Sequence, residues 1–426
     1  MGAREVVPGL VAAALRAADP GEAVRRGWPG NPRLGDGCHV LAIGKGSVGM
    51  ATAAIALLGA RRGPVLVTAV PEHAGDAGLL ALGARVVGCD HPVPTTRNVE
   101  AAREVAAFVR AVPRGLTLLC LVSGGGSAHL TWPAEGVSLE ALAACAAALQ
   151  RGGATIDELN AVRKHCERLK GGRLAAMRGG AGPIVCLVMS DVIGDRLDVI
   201  ASGPMAGDPT TFADALGVLE RHGLTGAAPL IEEHLRRGAR GDVPETPKPG
   251  DAMLEACRHT IVASNQMVVE AVAAAAAEMG YRIEGVELSV VGEAAAAGRR
   301  LAMRASAVAW RACWVIGGEP TVRVGSGGGA GGPSQELALA AAGVLEGSTG
   351  VTVLALSTDG RDGPTDAAGA VVDGGTFAAA RRSGVDPVAG LAGHDSHRVL
   401  EAAGCLVRTG ATGTNLNHVA VLLVDG

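Results

Sequence analysis

Five apolar runs in this chain stop abruptly at glycine or acidic turns, and this repetition limits the fold more than any other feature. Val40 to Ile43 runs into GKGSVG, Leu116 to Val122 into SGGGS, and Ile184 to Met189 into SDVIGD. Cys313 to Ile316 leads into GGE, and Val351 to Leu356 into STDGRDG. Between them lie alanine-rich stretches with helical spacing, such as Val99 to Val109 and Leu139 to Leu149. A short apolar run bounded by turn residues reads as a buried strand. Strands alternating with helices predict an α/β protein with parallel sheets of the doubly wound kind. At 426 residues the chain exceeds what one hydrophobic core normally supports, so two domains are expected. The polar segment 237–251, RGARGDVPETPKPGD, carries three prolines and reads as a linker or surface loop. We place the boundary there, with domains over 1–240 and 250–426.

Composition removes several function classes. A hydrophobic content of 48% with 19% charged residues describes a folded chain. Aromatics are only 2%, too few for the stacking platforms that bind single-stranded nucleic acid. The net charge of −4 carries no polybasic footprint for nucleic acid or an anionic membrane. The apolar runs are short or broken, and no charged-then-apolar leader opens the chain, which predicts a cytoplasmic protein. The nine cysteines stand singly, mostly within apolar runs, as core thiols do in a reducing compartment.

The stretch Cys186 to Asp214 is the richest in chemistry. Its apolar strand ends at Ser190-Asp191, and Asp191, Asp195, Asp198 and Asp208 follow, interleaved with Gly194, Gly203 and Gly207. A buried strand opening into an acidic, glycine-rich loop presents carboxylates and bare N–H groups at the carboxyl edge of a sheet. That suits a phosphorylated ligand and its metal ion. GKGSVG at 44–49 fits neither the P-loop nor the dinucleotide fingerprint. Its Lys45 is one of only four lysines, with 164, 170 and 248, and an ammonium at a strand-to-helix turn is a compact point charge for a phosphate.

SGGGSAHLTWP, 123–133, places Ser123, Gly124, Gly125, Gly126 and Ser127 in an anion-binding nest, with His129 as a packing or hydrogen-bonding residue. NAVRKHCERLKGGRLA, 160–175, reads as one amphipathic helix ended by Gly171-Gly172. Its basic side is either a solvated face or a means of delivering Asn160, Arg163 and Lys164 to an anionic ligand. After a further strand, Asp359, Asp362 and Asp366 form a turn of closely spaced carboxylates that suits Mg²⁺. HDSH, 394–397, has ligand-like residues without identifiable partners for zinc.

In this order the motifs resemble those of the class II glycerate kinases, the group with a MOFRL C-terminal domain. The resemblance runs from about Val40 to Leu423. It rests on HPVP (91–94), SGGGSA (123–128), NAVRKH (160–165), KGGRLA (170–175), SDVIGD, LDVIASGP and DPTTFADA (190–215). GGEPTVRV (317–324), QELALA (335–340), TDGRDGPTDAAGA (358–370) and TGATGTN (409–415) continue it. It implies a doubly wound, Rossmann-like N-terminal domain and a smaller α/β MOFRL-type domain, with the active site in the cleft between them. It further implies transfer of a phosphoryl group from ATP, with Mg²⁺, to the 2-hydroxyl of D-glycerate or a related hydroxy acid.

On that resemblance Lys45 and Asp191 are catalytic, with Asp191, Asp359 and Asp362 as metal ligands. Gly318, Glu319, Gln335, Glu336, Thr414 and Asn415 would face the nucleotide. The expected partners are the hydroxy acid, ATP and a second copy of the chain as a homodimer, with no nucleic acid or membrane. The chain departs from the family form GKGGRNQE, reading Gly329-Ala330-Gly331-Gly332-Pro333-Ser334-Gln335-Glu336, and from TGTNVND, ending in His418. Either Arg323 supplies the missing cation as a third catalytic residue, or the ligand has changed. Two other readings stay open: a hydroxypyruvate reductase, against which the absent fingerprint counts, and a binding protein that keeps the fold without catalysis.

Overall fold

The computed structural model describes residues 2–28, 34–307, 310–325 and 327–425. The chain forms two compact units, Ala23–Val262 and Met1–Glu22 together with Ala263–Gly426. In the first lie β1 (Cys38–Ile43), β2 (Arg62–Ala69), β3 (Arg85–Gly88), β4 (Leu118–Val122), β5 (Ile184–Ser190) and β6 (Cys257–Ser264), ordered β3-β2-β1-β4-β5-β6. The pairings β1/β2, β2/β3, β1/β4 and β4/β5 are parallel. Every residue of β1, β4 and β5 is buried, as continuous apolar runs require of strands covered on both faces. The chain winds outward from β1 to β3, then returns to the other side of β1 for β4. The strand order therefore reverses between β1 and β4. One core cluster packs helix Thr96–Ala111 against this sheet through Ala102, Val105 and Val109. A separate cluster joins helices Leu139–Arg151, Ile156–Cys166, Phe212–Arg221 and Pro229–Ala239.

The second unit holds β7 (Arg282–Glu293), β8 (Arg311–Thr321), β9 (Val351–Ser357), β10 (Gly369–Asp373), β11 (Leu406–Val407) and β12 (His418–Asp425), ordered β11-β10-β9-β12-β8-β7. Only β7/β8 is parallel; the other four pairings are antiparallel, which corrects the expectation of a second parallel sheet. The reason is the connection. Residues 358–368 between β9 and β10 contain no helix and are too short for a crossover, so β10 folds back beside β9.

Three further expectations change. The helix expected over 160–175 runs from Ile156 to Cys166, because Glu167 turns extended and bridges Pro133, with Arg168 N–H on Trp132 O. GGE is not a turn but part of β8. The segment 237–251 is pinned rather than free: Glu245 bonds His165, Thr246 bonds Asp208, and Asp208 N–H donates to Pro247 O. The chain passes from one compact unit to the other at 262/263, and the first helix, Ala3–Ala18, belongs with Ala263–Gly426, packed on helix Asn265–Glu278. Ala3 N–H and Tyr281 Oη–H both donate to the Asp425 carboxylate at the end of β12. All nine cysteines are buried and unpaired, as the spacing predicts. Among the described residues no helix is long and apolar enough to cross a membrane.

Helices Ala294–Met303 and Pro333–Leu345 cross closely at Gly298, where a Cβ would fall 2.1 Å from the Leu337 carbonyl oxygen. Neither backbone can yield without moving a helix. Gly298→Ala is therefore expected to lower stability by about 1 to 3 kcal/mol, read from the denaturant midpoint. An unchanged midpoint would refute this packing.

Candidate active site

The reversal of strand order brings the ends of β1 and β4 together, with Ile43 opposite Val122. Ser123 knots the two turns: its N–H and Oγ–H both donate to Ile43 O (3.0 Å each), and its Oγ accepts Gly46 N–H (2.9 Å). Lys45 N–H donates to Gly124 O at 2.8 Å. Helix Ser47–Leu58 starts immediately after, so Lys45 sits where a helix begins. Gly125, at φ +82°, adopts the left-handed conformation that glycine tolerates best.

The space beside these glycines is occupied by charge. A Cβ on Gly124 would fall 2.2 Å from Asp191 Oδ2, and one on Gly125 would fall 3.2 Å from both Lys45 Cγ and His91 Cδ2. Lys45, Asp191 and His91 thus gather around the turn from the ends of β1, β5 and β3. Burial pushes the Asp191 carboxyl above its usual range, and the Lys45 ammonium pulls it back. Burial, reinforced by Lys45, lowers His91 to about 4, so its imidazole is neutral at pH 7. His91 lies in the HPVP motif, but its role was not legible there, because its neighbours come from distant strands. His129 is wholly buried with Nδ1 3.0 Å from Thr68 Oγ1, a packing residue as the sequence suggests.

Behind the turn, Ser202 Oγ–H donates to Asn160 Oδ1, and the hydroxyls of Ser202 and Ser127 lie 2.7 Å apart. Arg163 Nη2 donates to Ser127 O at 3.4 Å. Asn160 and Arg163 therefore brace the turn. Lys164 is turned into the protein interior: it is 2% exposed and bonds Asp198 (3.2 Å) and Asp208 (3.3 Å). This corrects its assignment and explains two acids of the loop after β5. Lys170 is also buried, paired with Glu167, and burial lowers it to about 7.

In the second unit Asp362 caps helix Pro333–Leu345, accepting Ser334 N–H (3.0 Å) and Gln335 N–H (2.7 Å). Burial raises it to about 6. This capping corrects its expected role as a metal ligand, since both carboxylate oxygens serve the helix start. Asp359 Oδ1 accepts from Ser357 Oγ and Arg361 N–H. Among the described residues no group of three or more His, Cys, Asp or Glu is arranged to hold a metal ion.

Gln335 is buried and tied to Thr365 and His397, and Glu336 pairs with His394 at 2.9 Å. The HDSH histidines are thereby accounted for by helix Pro333–Leu345. Arg323 lies just beyond β8, exposed, and lines a cavity of about 280 Å³ with Glu293, Glu336 and His394. Gly318 packs within β8, where a Cβ would meet Val290 O at 2.1 Å, and Glu319 is exposed beside it. Thr414 is buried, and Asn415 Oδ1 accepts Asn417 N–H. His418 Nδ1 lies 2.8 Å from Ser334 Oγ, and burial lowers it to about 4.

Two family patterns match the chain: that described as Domain of unknown function (DUF4147) over residues 6–236, and MOFRL family over 312–418. "Glycerate 2-kinase" of Pyrococcus horikoshii is 36% identical over 100% of this chain and 98% of its own. The chain belongs to the glycerate 2-kinase family. "D-glycerate 2-kinase" of Thermotoga maritima is 38% identical over 97% of each chain. A crystal structure of glycerate kinase from Thermotoga maritima superposes with a TM-score of 0.88, 36% identity and 99% coverage of each chain. As a member of this family the chain is a phosphotransferase with an alcohol group as acceptor. The glycerate 2-kinase motifs that cluster in space here are the turns after β1, β3, β4 and β5, all in one unit.

The buried histidine behind the turn gives a pH test. Burial lowers His129 to about 4, against about 6.5 when unfolded. Between those values the unfolded chain binds more protons, so this contribution is complete above pH 6.5 and is lost as pH falls toward 4. Thermal midpoints should fall over that window, and less steeply in His129→Leu. Equal slopes in both proteins would contradict the assignment.

Proposed function

We propose that this enzyme transfers the γ-phosphoryl group of ATP, with Mg²⁺, to the 2-hydroxyl of D-glycerate or a closely related hydroxy acid. The observation that carries the reading is the gathering of Lys45, the Gly124–Gly126 turn and Asp191 at the point where strand order reverses. Ligands of open α/β sheets bind outside the carboxyl ends of the strands at such a point. Phosphoryl transfer asks little covalent work of a protein; it needs oriented N–H donors and cations around the moving group. Lys45 offsets charge on that group, and the Ser123–Ser127 turn seats an anionic portion of substrate. Asp191 orients the attacking hydroxyl. Neutral His91, beside Lys45, offers a hydrogen bond to the acid without adding charge.

Mg²⁺ is commonly held by one or two carboxylates plus substrate phosphates rather than by an all-protein cage. Asp191, beside the glycine turn, fits that pattern and would hold the ion. When bound, Mg²⁺ supplies charge neutralisation to the phosphates. On the nucleotide side we assign Gly318, Glu319, Gln335, Glu336, Thr414 and Asn415. Arg323 stands in for the cations missing from the loop before Gln335; its place beside Glu336 and His394 supports this. A reductase reading lacks support, because the turn after β1 reads GKGSVG rather than a dinucleotide fingerprint.

The test is ADP release from the purified protein with ATP and Mg²⁺ over a panel of small hydroxy acids, with the product's position read by ³¹P NMR. D-Glycerate 2-phosphate or its close analogue is expected. Nucleotide binding without turnover on any acid would favour the binding-protein reading. Lys45→Met should remove at least ~3 kcal/mol of transition-state stabilisation while the fold is kept; near-normal turnover would defeat the assignment. Arg323→Ala should abolish activity, and a variant with unaltered kinetics would mean that the loop needs no cation.

A further inference from the structure

The hydroxyl protons behind the glycine turn run in one direction. An amide oxygen only accepts, so the single proton of Ser202 Oγ is committed to Asn160 Oδ1, 2.7 Å away. Ser202 Oγ can then only accept from Ser127, whose Oγ also lies 2.7 Å from it. The Ser127 proton is therefore turned inward, and its oxygen keeps only lone pairs for any other partner. Reversing the chain would take the Ser202 proton from Asn160 Oδ1, and Asn160 is only 3% exposed. Leaving a buried acceptor unpaired costs more than the exchange gains.

Strained backbone holds this arrangement. Ala201 and Ser202 lie at φ +51° and +60°, a left-handed conformation uncommon for residues with a side chain. Gly171 N–H fixes Ser202 O at 3.0 Å, and Ala201 packs so close to the turn that a Cβ on Gly126 would fall 2.9 Å from its own. Strain of this kind collects at ligand clamps, where the surrounding structure over-determines the geometry. The turn side is open: of residues 123–130, only Gly125 and Ser127 are partly exposed. Gly125 is also the residue that lies against Lys45 and His91.

An oxygen with no proton to offer repels a carboxylate or phosphate oxygen and needs a donor. The Lys45 ammonium beside the turn disfavours a second cation, which leaves an uncharged donor. We propose that Ser127 Oγ accepts a hydrogen bond from a second hydroxyl of the substrate, one that is not phosphorylated, and so selects hydroxy acids that carry it. This rests on the kinase reading of the same turn. The substrate carboxylate goes to the backbone N–H groups of the turn rather than to this side chain. In D-glycerate the selected group is the 3-hydroxyl; D-lactate has the same carboxylate and 2-hydroxyl without it.

The test compares D-glycerate with D-lactate on the full-length protein, by kcat/KM with ATP and Mg²⁺ and by calorimetric dissociation constants. The parent should prefer D-glycerate by at least about tenfold, because lactate leaves the Ser127 oxygen unpaired. Ser127→Ala should erase most of that ratio by weakening D-glycerate while sparing D-lactate to within about twofold. Ser202→Ala keeps Ser127 but frees its proton, and should shrink the ratio at least about threefold; it carries the test should Ser127→Ala misfold. If neither acid turns over but the calorimetric ratio and its loss are seen, the kinase reading fails and this one stands. The proposal is overturned if the parent treats the two acids alike, if neither acid binds, or if the variants weaken both in proportion, as a purely structural role would.

Discussion

The register between β1 and β4 is the constraint on which the rest of the site depends. Because Ile43 lies opposite Val122, the turns that follow must pass side by side. The Ser123 side chain then fixes one turn to the other through Ile43 O and Gly46 N–H. Moving β4 by a single residue would separate Lys45 from Gly124. It would also exchange the residues that pack against the two buried faces of the sheet, so the register is protected by the whole core. The chemistry is held by the sheet.

A second layer of order comes from charge placed where water is absent. Lys164 between Asp198 and Asp208, and Lys170 against Glu167, are buried pairs on and after helix Ile156–Cys166. Such pairs add little net stability compared with apolar packing, but removing one partner leaves an uncompensated charge and costs about 3 to 5 kcal/mol. Their effect here is geometrical. They set the acidic loop after β5 against the helix that braces Ser127, and so fix Asp191 at the near end of the same loop. The loop's acids thus have divided roles, with Asp191 facing the turn and Asp198 and Asp208 holding the lysine.

What the sequence made legible follows from the range of each interaction. Strand ends, and the positions of Lys45, the glycine turn and Asp191 at them, were readable because each signal lies within a few residues of its strand. Lys164 was misread as a ligand-binding cation because its acids lie 34 and 44 residues away. Asp362 looked like a metal ligand because its capping partners lie 27 and 28 residues before it. The end of the helix at Cys166 depends on pairing with Pro133, which no local pattern announces. The first helix joins the unit of residues 263–426 through tertiary packing alone, so a boundary drawn from proline content missed it.

The central claim is that Lys45 and Asp191 act together on one reacting group. A double-mutant cycle on kcat/KM with Lys45→Met, Asp191→Asn and the combined variant measures this directly. The account predicts that the combined loss falls short of the sum of the single losses by at least about 1 kcal/mol, as for residues sharing one partner. Losses that add within ~0.5 kcal/mol, as independent sites do, would contradict it.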